Sequence, residues 1–509
     1  MRQVIVYLTQ GLHRSLQRHS GKTALVHLAD GIERRHNFAE LLSNVARQAA
    51  ALRQFGVGSG DRVALLAPNT DELVQALLAC WWLGAVACPL NIRWSGLELA
   101  YALTDSEASL LLVDESLEAP ALETATPKLS LNEFAVAARA LPPLADTRTG
   151  GDALAAILYT GGTTGRSKGV MLSHANFWTA SMTRGAELNN SPESVTLLVA
   201  PLFHVAGLGR LIGQMVVGGG WVTMPQFRAP RVLEAIERYG VSDIIAVPSM
   251  LQSLLDDPAF NAGRLQGLAR IAFGAAPMPP DLLDRALAAW PQAEFFQAYG
   301  MTETAGALCI NLPANHRPEA RALGRLNSVG RPGLGAEIII SDEHGRELPR
   351  GEVGEILARG PMVMQGYWRQ PEATAETLRD GWLHTGDGGR MDADGYLFIV
   401  DRIKDMIISG GENIYSAEVE AALRSHPAVS QAAVIGVPDA RWGEAVHAVV
   451  VLQPGTSEQA SELVETLRAW CKTRLAGYKC PRSIAFVESL PMSAAGKVLK
   501  NALREAHRA

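Results

Sequence analysis

Hydrophobic and polar positions in the first 330 residues follow two alternating patterns, one typical of helices and one typical of buried strands. Residues 38–55 and 71–84 carry apolar side chains at helical spacing, and the short apolar run 62–66 lies between them. Strands that alternate with helices pair in parallel through crossover connections, so this pattern predicts a large layered α/β body containing several sheets. Further strand-like runs are 109–113, 194–200, 243–248 and 268–274.

The pattern changes twice farther along the chain. After about residue 330 short strands and tight turns follow one another, which predicts a smaller β-rich subregion. After 401–405 a new α+β pattern begins, long enough for a small domain. We therefore predict an N-terminal domain at 1–401 and a small mobile C-terminal domain at 402–509, with a hinge near 401–405. The elements predicted in the second domain are helices at 417–426 and 457–474 and strands at 431–436 and 446–452.

Composition narrows the classes of protein to consider. The 509 residues are 48% hydrophobic and 19% charged with a net charge of -6, which indicates folded domains without a general attraction to nucleic acid or anionic membrane. The most apolar segment, 76–90, is shorter than the roughly 20 residues of a membrane-spanning helix. The five cysteines are odd in number and lack metal-site spacing, so we interpret them as reduced, buried thiols. A cytoplasmic enzyme fits these features.

The most informative local pattern is a glycine- and threonine-rich loop. The apolar run 153–159 predicts a buried strand, and the loop 160–169 follows it with four glycines. Glycines allow backbone N–H groups to wrap phosphate oxygens, and Lys168 adds positive charge, so the loop predicts a polyphosphate ligand. The loop is not a Walker P-loop, because Lys168 is followed by Gly169 and two apolar residues. Taken alone, the loop leaves an ordinary glycine-rich hairpin turn open.

Four other short motifs accompany this loop, and together they resemble a known family. In order and spacing the five motifs are similar to those of the adenylate-forming superfamily of acyl-CoA synthetases. The resemblance covers nearly the whole chain. The motifs are Tyr159 to Gly169, Tyr299 to Thr304, Thr385 to Asp387, Asp401 to Asp405, and Gly496-Lys497.

The resemblance implies where ATP and its magnesium ion bind. Thr302 would contact the α-phosphate and Glu303 would coordinate Mg²⁺, a hard cation that prefers oxygen ligands. Gly161 and Ser167 depart from the commonest family pattern, and we expect this to affect loop stiffness more than chemistry. The residues implied to hold the β- and γ-phosphates are Thr160, Gly162, Thr163, Thr164, Gly165 and Lys168. Those implied to line the adenine slot are Gly274, Ala275, Ala276, Pro277 and Tyr299, and those implied to bind the ribose are Asp387 and Arg402.

The resemblance also implies how the two steps of the reaction are separated. Lys497 would be the adenylation lysine, whose charge offsets the repulsion between the substrate carboxylate and the α-phosphate. Lys404 would be the hinge residue about which the C-terminal domain rotates before thioester formation. The residues implied to lie near coenzyme A are Gly410, Gly411, Tyr478 and Lys479.

The acyl pocket of this family would lie between two short segments. His204 would flank the carboxylate end of the substrate, with a buried structural histidine as the alternative. The small, apolar lining predicts a roomy, uncharged pocket for an aromatic or a medium to long aliphatic acid. We interpret Arg184 and Arg210 as surface residues rather than as partners of a second substrate carboxylate. The residues implied to line the pocket are His204, Val205, Ala206, Gly207, Gly209, Gly300, Ala305, Gly306 and Ala307.

The sequence therefore predicts an ATP-dependent ligase that converts a carboxylic acid to its acyl-adenylate and then to the coenzyme A thioester. Its expected partners are a small carboxylic acid, ATP and CoA, with Mg²⁺ as cofactor, no nucleic acid, no integral membrane segment, and either a monomer or a homodimer as the assembly. One alternative is an acyl-AMP ligase that loads a separate carrier protein. A luciferase-like oxygenation, a phosphotransferase and a nucleotide sensor are weaker alternatives, and the last two leave Lys497, Asp387 and Lys404 without a role.

Overall fold

The computed structural model describes residues 5–117, 124–160, 167–274, 278–410, 412–455, 460–492 and 498–507. The α-helices in these ranges are α1 (Gln10–His19), α2 (Phe38–Gln54), α3 (Asp71–Leu83), α4 (Gly96–Ser106), α5 (Leu131–Arg139), α6 (His174–Glu187), α7 (Val205–Val217), α8 (Ala229–Arg238), α9 (Pro248–Asp256), α10 (Pro280–Ala289), α11 (Pro318–Arg321), α12 (Pro371–Thr377), α13 (Ser416–Arg424), α14 (Ala460–Lys472) and α15 (Lys500–Ala506).

The β-strands in the same ranges are β1 (Thr23–Ala29), β2 (Ile32–Asn37), β3 (Arg62–Leu66), β4 (Val86–Pro89), β5 (Leu110–Val113), β6 (Lys128–Ser130), β7 (Leu154–Thr160), β8 (Lys168–Ser173), β9 (Val195–Leu198), β10 (Gly220–Thr223), β11 (Asp243–Ile245), β12 (Arg270–Phe273), β13 (Glu294–Tyr299), β14 (Cys309–Asn311), β15 (Arg331–Pro332), β16 (Glu337–Ser341), β17 (Gly354–Arg359), β18 (Gly366–Tyr367), β19 (Leu378–Arg379), β20 (Trp382–Met391), β21 (Leu397–Arg402), β22 (Ile407–Ser409), β23 (Glu412–Ile414), β24 (Val429–Asp439), β25 (Gly443–Leu452) and β26 (Ser483–Phe486).

The chain divides into two compact units. The first consists of Met1–Ile338 and Ala358–Leu383, and the second of Ile339–Leu357 and His384–Ala509. This grouping by contacts assigns residues 339–357 and 384–401 to the second unit, whereas the predicted N-terminal domain contains them. The compact units thus divide the chain at positions other than 401/402. The domain boundary at 401/402 and the hinge near it stay predictions.

The first unit is built on two large sheets. One has the strand order β15-β14-β13-β12-β11-β9-β10-β1-β2, with parallel pairing from β13 through β1. The other has the order β18-β8-β7-β4-β3-β5-β6, and β7 through β6 pair in parallel. Strands such as β3, β4 and β5 are buried almost throughout, as expected for parallel strands covered by helices on both faces. The prediction of a layered α/β body with several sheets is confirmed.

The second unit has a different, smaller-scale architecture. In one sheet β17 lies between β16 and β20, and β21 pairs with β20. In the other the order is β23-β22-β25-β24, with β26 parallel to β25. Side chains of α13 and α14 pack with one face of this second sheet in a buried core, and Leu490 and Leu503 pack on the other face. This agrees with the predicted β-rich subregion and C-terminal α+β unit.

Most predicted elements occur within a few residues of their expected bounds, and one difference has a clear cause. The run 243–248 was expected to be a strand, but β11 ends at Ile245 and α9 begins at Pro248. Proline has no N–H for a strand ladder and its fixed φ suits the first turn of a helix.

All five cysteines are buried and free. No helix in the described ranges is long and apolar enough to cross a membrane.

Candidate active site

The predicted phosphate loop is carried by an antiparallel hairpin in the first unit. Strands β7 and β8 pair so that Thr160 lies opposite Lys168, and these two residues mark the ends of the hairpin stem. Strand β18 pairs with β8, and the Trp368 N–H donates a hydrogen bond of 2.7 Å to the Gly169 carbonyl. The stem is therefore held on its outer side by residues about 200 positions later. The loop residues Gly162, Thr163, Thr164 and Gly165 lie outside the described ranges.

One tyrosine joins the base of this loop to the predicted magnesium ligand. The Lys168 Nζ lies 4.7 Å from the centre of the Tyr367 ring, a cation–π geometry. The Tyr367 hydroxyl donates a hydrogen bond of 2.9 Å to Oε1 of Glu303. Burial and the Glu303 carboxylate raise the pKa of Tyr367, so its hydroxyl stays protonated and remains a donor. The residue was missed from the sequence, where the dipeptide Gly366-Tyr367 carries no local signal of a site.

Glu303 lies in a tight turn that follows β13. Residues Thr302–Thr304 form a short 3₁₀ turn, after which Ala305 and Gly306 adopt positive φ angles of 50° and 93°. A positive φ is uncommon for alanine, and such strained positions cluster at functional sites. The Glu303 backbone carbonyl accepts a hydrogen bond of 2.8 Å from the Met364 N–H, which ties the turn to the chain just before Tyr367.

A single carboxylate at this place fits what Mg²⁺ requires. Magnesium keeps several waters and is held by one or two carboxylates together with substrate phosphates, so a larger protein ligand set is unnecessary. Glu303 is only 7% exposed. Its Oε1 accepts the hydrogen bond from the neutral Tyr367 hydroxyl, which orients the carboxylate. In the described part of the chain no cluster of three or more ligating side chains competes for the ion.

Gly300 sets the path of this turn, and its replacement tests the turn directly. A Cβ at Gly300 would lie 2.8 Å from the Ala307 nitrogen and from the Gly306 carbonyl carbon, both backbone atoms that cannot rotate away. We expect Gly300→Ala to cost about 1–3 kcal/mol of unfolding free energy through overpacking, and to displace Thr302 and Glu303.

The measurement for Gly300→Ala is the midpoint of thermal unfolding together with acid-dependent pyrophosphate release. Gly267→Ala is the matched control, because a Cβ there meets no atom within 4 Å. Equal unfolding midpoints and equal rates for the two variants would contradict the role given to Gly300.

The segments predicted to form the acyl pocket do come together. His204 is the residue before α7, and Gly207 packs so closely on the preceding turn that a Cβ would lie 2.2 Å from the Pro201 carbonyl oxygen. A Cβ at Gly306 would lie 3.3 Å from a methyl group of Val205, and one at Gly209 would lie 3.7 Å from the Ala305 carbonyl oxygen. The start of α7 thus faces the turn that carries Glu303. Ala206 is exposed.

The interpretation of Arg184 and Arg210 as surface arginines is wrong. Each is only 8% exposed. Arg184 donates a hydrogen bond to the Gly209 carbonyl, and Arg210 forms an ion pair with Asp243. The helical pattern of α6 and α7 placed both arginines among small and apolar neighbours, but it gave no sign that their guanidinium groups would turn inward.

The predicted adenine slot is described only in part. Gly274 follows β12, and a Cβ there would lie 3.3 Å from the Ala298 carbonyl oxygen on the neighbouring strand β13. Tyr299 ends that same strand. Gly274 and Tyr299 are thus on adjacent strand ends, as a shared slot wall requires, while Ala275, Ala276 and Pro277 lie outside the described ranges.

The two predicted ribose residues pair with each other in the second unit. Asp387 in β20 is in register with Arg402 in β21, and its Oδ1 lies 3.1 Å from the Arg402 Nε. The Asp387 N–H donates to the Thr385 hydroxyl at 3.1 Å, and that hydroxyl donates to the Ile356 carbonyl at 2.8 Å. The neighbouring strand β17 therefore fixes the part of β20 that carries Asp387.

The predicted hinge residue Lys404 lies in the 3₁₀ turn Ile403–Asp405. Its pKa is lowered, first by burial and then by the neighbouring Arg402. Arg504 of α15 contacts the same turn, with its Nη2 2.8 Å from Asp405 Oδ1 and 3.4 Å from the Lys404 carbonyl oxygen. Lys497 lies outside the described ranges, three residues before α15 begins.

The residues predicted near coenzyme A are spread over the second unit. Gly410 has a φ of +63°, and a Cβ there would lie 2.7 Å from the Trp442 ring. The ring of Trp442 has the guanidinium carbons of Arg441 and Arg482 at 4.6 and 4.9 Å from its centre. Gly411 lies outside the described ranges. Tyr478 is exposed, and its neighbour Lys479 forms a 2.7 Å ion pair with Glu418 that raises the lysine pKa.

Comparison with known proteins identifies the family of the chain. The family model described as "AMP-binding enzyme" matches residues 12–368, and the model described as "AMP-binding enzyme C-terminal domain" matches 418–497. A feruloyl-CoA synthase from an Amycolatopsis species is 42% identical over 500 residues, which cover 97% of this chain and 96% of the relative. A fatty acid–[acyl-carrier-protein] ligase of Streptomyces coeruleorubidus is 36% identical and covers 90% of this chain and 89% of its own.

One solved structure that is similar to this chain contains bound ATP and magnesium ion. The O-succinylbenzoate coenzyme A synthetase of Bacillus subtilis, in complex with ATP and magnesium ion, superposes with a TM-score of 0.85 at 34% identity. The superposition covers 97% of this chain and 98% of the Bacillus chain.

Proposed function

The chain belongs to the AMP-binding enzyme family and is an ATP-dependent acid–CoA ligase, and we propose that its substrate is an aromatic or a medium to long aliphatic carboxylic acid. ATP and coenzyme A are its co-substrates and Mg²⁺ its cofactor. The observation that carries the proposed active site is Tyr367, whose ring contacts Lys168 at the phosphate loop and whose hydroxyl donates to Glu303 at the predicted magnesium site.

The reaction proposed for this site has two steps. A substrate carboxylate oxygen attacks the α-phosphorus of ATP, and the bond to pyrophosphate breaks, so that acyl-AMP forms. The thiol of coenzyme A then attacks the acyl carbonyl carbon and AMP leaves. Lys168 and the glycine-rich loop would bind the departing pyrophosphate, while Thr302 would donate a hydrogen bond to the α-phosphate. Glu303 would hold Mg²⁺, which when bound would supply charge compensation for the phosphate oxygens.

Residues of the second unit are proposed to complete the reaction. Asp387 has two acceptor oxygens, one of which already faces Arg402, and this pair would bind the ribose hydroxyls. Lys497 would act in adenylation, and Lys404 would be the hinge between domains 1–401 and 402–509. Coenzyme A would bind near Gly410, Gly411, Tyr478 and Lys479.

The size of the acid is proposed from the acyl pocket residues. Val205, Gly209 and Gly306 are small or apolar, and the proximity of Gly306 to Val205 and of Gly209 to Ala305 supports one continuous lining. Such a lining suits an acid larger than acetate. His204, at the start of α7, is proposed to flank the reacting carboxylate.

The test is an assay of the full chain with ATP, Mg²⁺ and a panel of aromatic and aliphatic acids. Pyrophosphate release is measured without coenzyme A, and thioester formation is measured with it. We expect pyrophosphate with at least one aromatic or longer aliphatic acid and thioester with the same acid. If no acid releases pyrophosphate, the proposed active site is wrong.

The same assay separates two acceptors. A carrier protein is the second candidate, because one relative is a fatty acid–[acyl-carrier-protein] ligase. Pyrophosphate release without thioester would favour that acceptor.

The five free, buried cysteines support a reducing compartment, and we propose the cytoplasm. A homodimer is the proposed assembly to be compared with a monomer by sedimentation.

A further inference from the structure

Three buried arginines lie around a single carboxylate in the first unit. Arg184 in α6, Arg210 in α7 and Arg270 in β12 are each only 8% exposed, and Asp243 in β11 is 3% exposed. Asp243 forms ion pairs with Arg210 and Arg270, the latter at 3.1 Å. The group therefore has three buried cations and one buried carboxylate, with the exposed Glu294 favouring the charge of Arg270 from the neighbouring strand, and a charge without compensation in a buried region is costly.

The positive charge that lacks a carboxylate partner is mainly that of Arg184. Arg270 also donates to the Leu188 carbonyl at 3.3 Å and the Asn189 carbonyl at 3.5 Å, just past the end of α6. Arg184 has only the Gly209 carbonyl as a hydrogen-bond acceptor and no carboxylate partner within the part of the chain that the structure describes. Burial lowers its pKa to about 10, so the guanidinium is still protonated at neutral pH.

Two glycines on one face of α7 make room for this guanidinium. A Cβ at Gly209 would lie 3.3 Å from Nη1 of Arg184, and a Cβ at Gly213 would lie 3.0 Å from its Nη2. Gly209 also faces the Ala305 carbonyl, so the guanidinium adjoins the residues proposed to line the acyl pocket. Gly209 and Gly213 lie about 8 and about 14 Å along the helix axis from His204, at 1.5 Å per residue.

We propose that Arg184 is a specificity-determining residue that binds an oxygen acceptor on the acyl group, at the end remote from the reacting carboxylate. The inference rests on the proposed function, since it places the reacting carboxylate near His204. The preferred acid then carries a phenolic oxygen or a second carboxylate at its far end. An arginine binds such an oxygen through a charge-assisted hydrogen bond, which an unsubstituted acid cannot form.

The experiment compares matched pairs of acids on the full-length enzyme. One pair is cinnamate and 4-hydroxycinnamate, and the other is octanoate and its dicarboxylic analogue, octanedioate. For each pair the ratio of kcat/KM in pyrophosphate release is determined. We expect the oxygen-bearing member of at least one pair to be preferred by about 10- to 100-fold, the range of one charge-assisted hydrogen bond. The pair that shows the preference identifies the type of oxygen.

Two variants separate recognition from structure. Arg184→Met keeps the length of the side chain and removes its donors, and it should bring the ratio to within about threefold of one. Gly213→Ala keeps the charge but forces the guanidinium to move, and it should lower the ratio in the same direction. Gly185→Ala is the control on the neighbouring helix, because its Cβ would make only an ordinary contact of 3.6 Å with Val217. Alanine is a better helix former than glycine, so both glycine variants should fold.

The outcomes are distinct. An enzyme that shows no preference in either pair, or a ratio unchanged in folded Arg184→Met, overturns the role of Arg184 while leaving the proposed ligase activity intact. If Arg184→Met does not fold, Gly213→Ala decides, and a ratio equal to that of Gly185→Ala overturns the inference. If no acid of either pair or of the wider panel releases pyrophosphate, the proposed function fails, and this inference fails with it.

Discussion

Lys497→Ala is expected to lower the rate of acyl-adenylate formation by about 10²- to 10³-fold, the usual effect of removing one preorganised electrostatic contact. The substrate carboxylate and the α-phosphate are both anionic, so the transition state of adenylation needs a cation at the point where they meet. Thioester formation from a preformed acyl-adenylate involves a neutral carbonyl and a thiol, and it does not need that cation. The variant should therefore convert supplied acyl-adenylate at nearly the rate of the unmodified enzyme.

The two half-reactions are measured separately, as pyrophosphate release from ATP and as thioester formation from synthetic acyl-adenylate. Lys472→Ala is a suitable control, because it also removes a lysine from the C-terminal region and its side chain is exposed at the end of α14. We expect that control to retain both half-reactions. An equal loss of both half-reactions in Lys497→Ala would refute the role proposed for this lysine.

Sequence periodicity predicts the elements well because burial follows it directly. The helix expected at 38–55 and the strand expected at 62–66 correspond to α2 and β3. Strand order was not predicted, since β9 lies between β10 and β11 only through contacts between distant parts of the chain. Local periodicity reports which face of an element is buried but not which neighbour buries it.

In the candidate site, too, local sequence predicts some residues, and others depend on tertiary contacts. Glu303 and Lys168 could be found from ordered motifs, because each lies in a short segment of distinctive composition. Tyr367 could not, since its contact with Glu303 joins positions 64 residues apart and depends on the pairing of β18 with β8. Arg184 was misread because its burial depends on two glycines of another helix, Gly209 and Gly213. In both cases the missing information is tertiary contact.

Glu303→Gln is expected to lower kcat/KM for ATP by about 10²-fold or more at millimolar Mg²⁺, within the range known for removal of one electrostatic group. The amide has nearly the shape of the carboxylate, and its oxygen can still accept the hydrogen bond from Tyr367. The change therefore removes the negative charge that binds the metal while the turn 302–304 is kept. Raising the Mg²⁺ concentration should recover part of the activity, because weaker metal binding is then overcome by mass action.

Tyr367→Phe tests whether the hydroxyl positions this carboxylate. Loss of a group that orients a metal ligand commonly costs about 10- to 100-fold in metal affinity, so the Mg²⁺ concentration for half-maximal activity should rise by that factor. Because Glu303 keeps its charge, the rate at saturating Mg²⁺ should approach that of the unmodified enzyme, unlike that of Glu303→Gln. Tyr159→Phe is the matched control, since Tyr159 lies in the same sheet, in β7, and its hydroxyl donates to Asp105 at 2.7 Å rather than to Glu303. A purely structural role of Tyr367 would lower the rate without moving the Mg²⁺ dependence, and would make the two tyrosine variants alike.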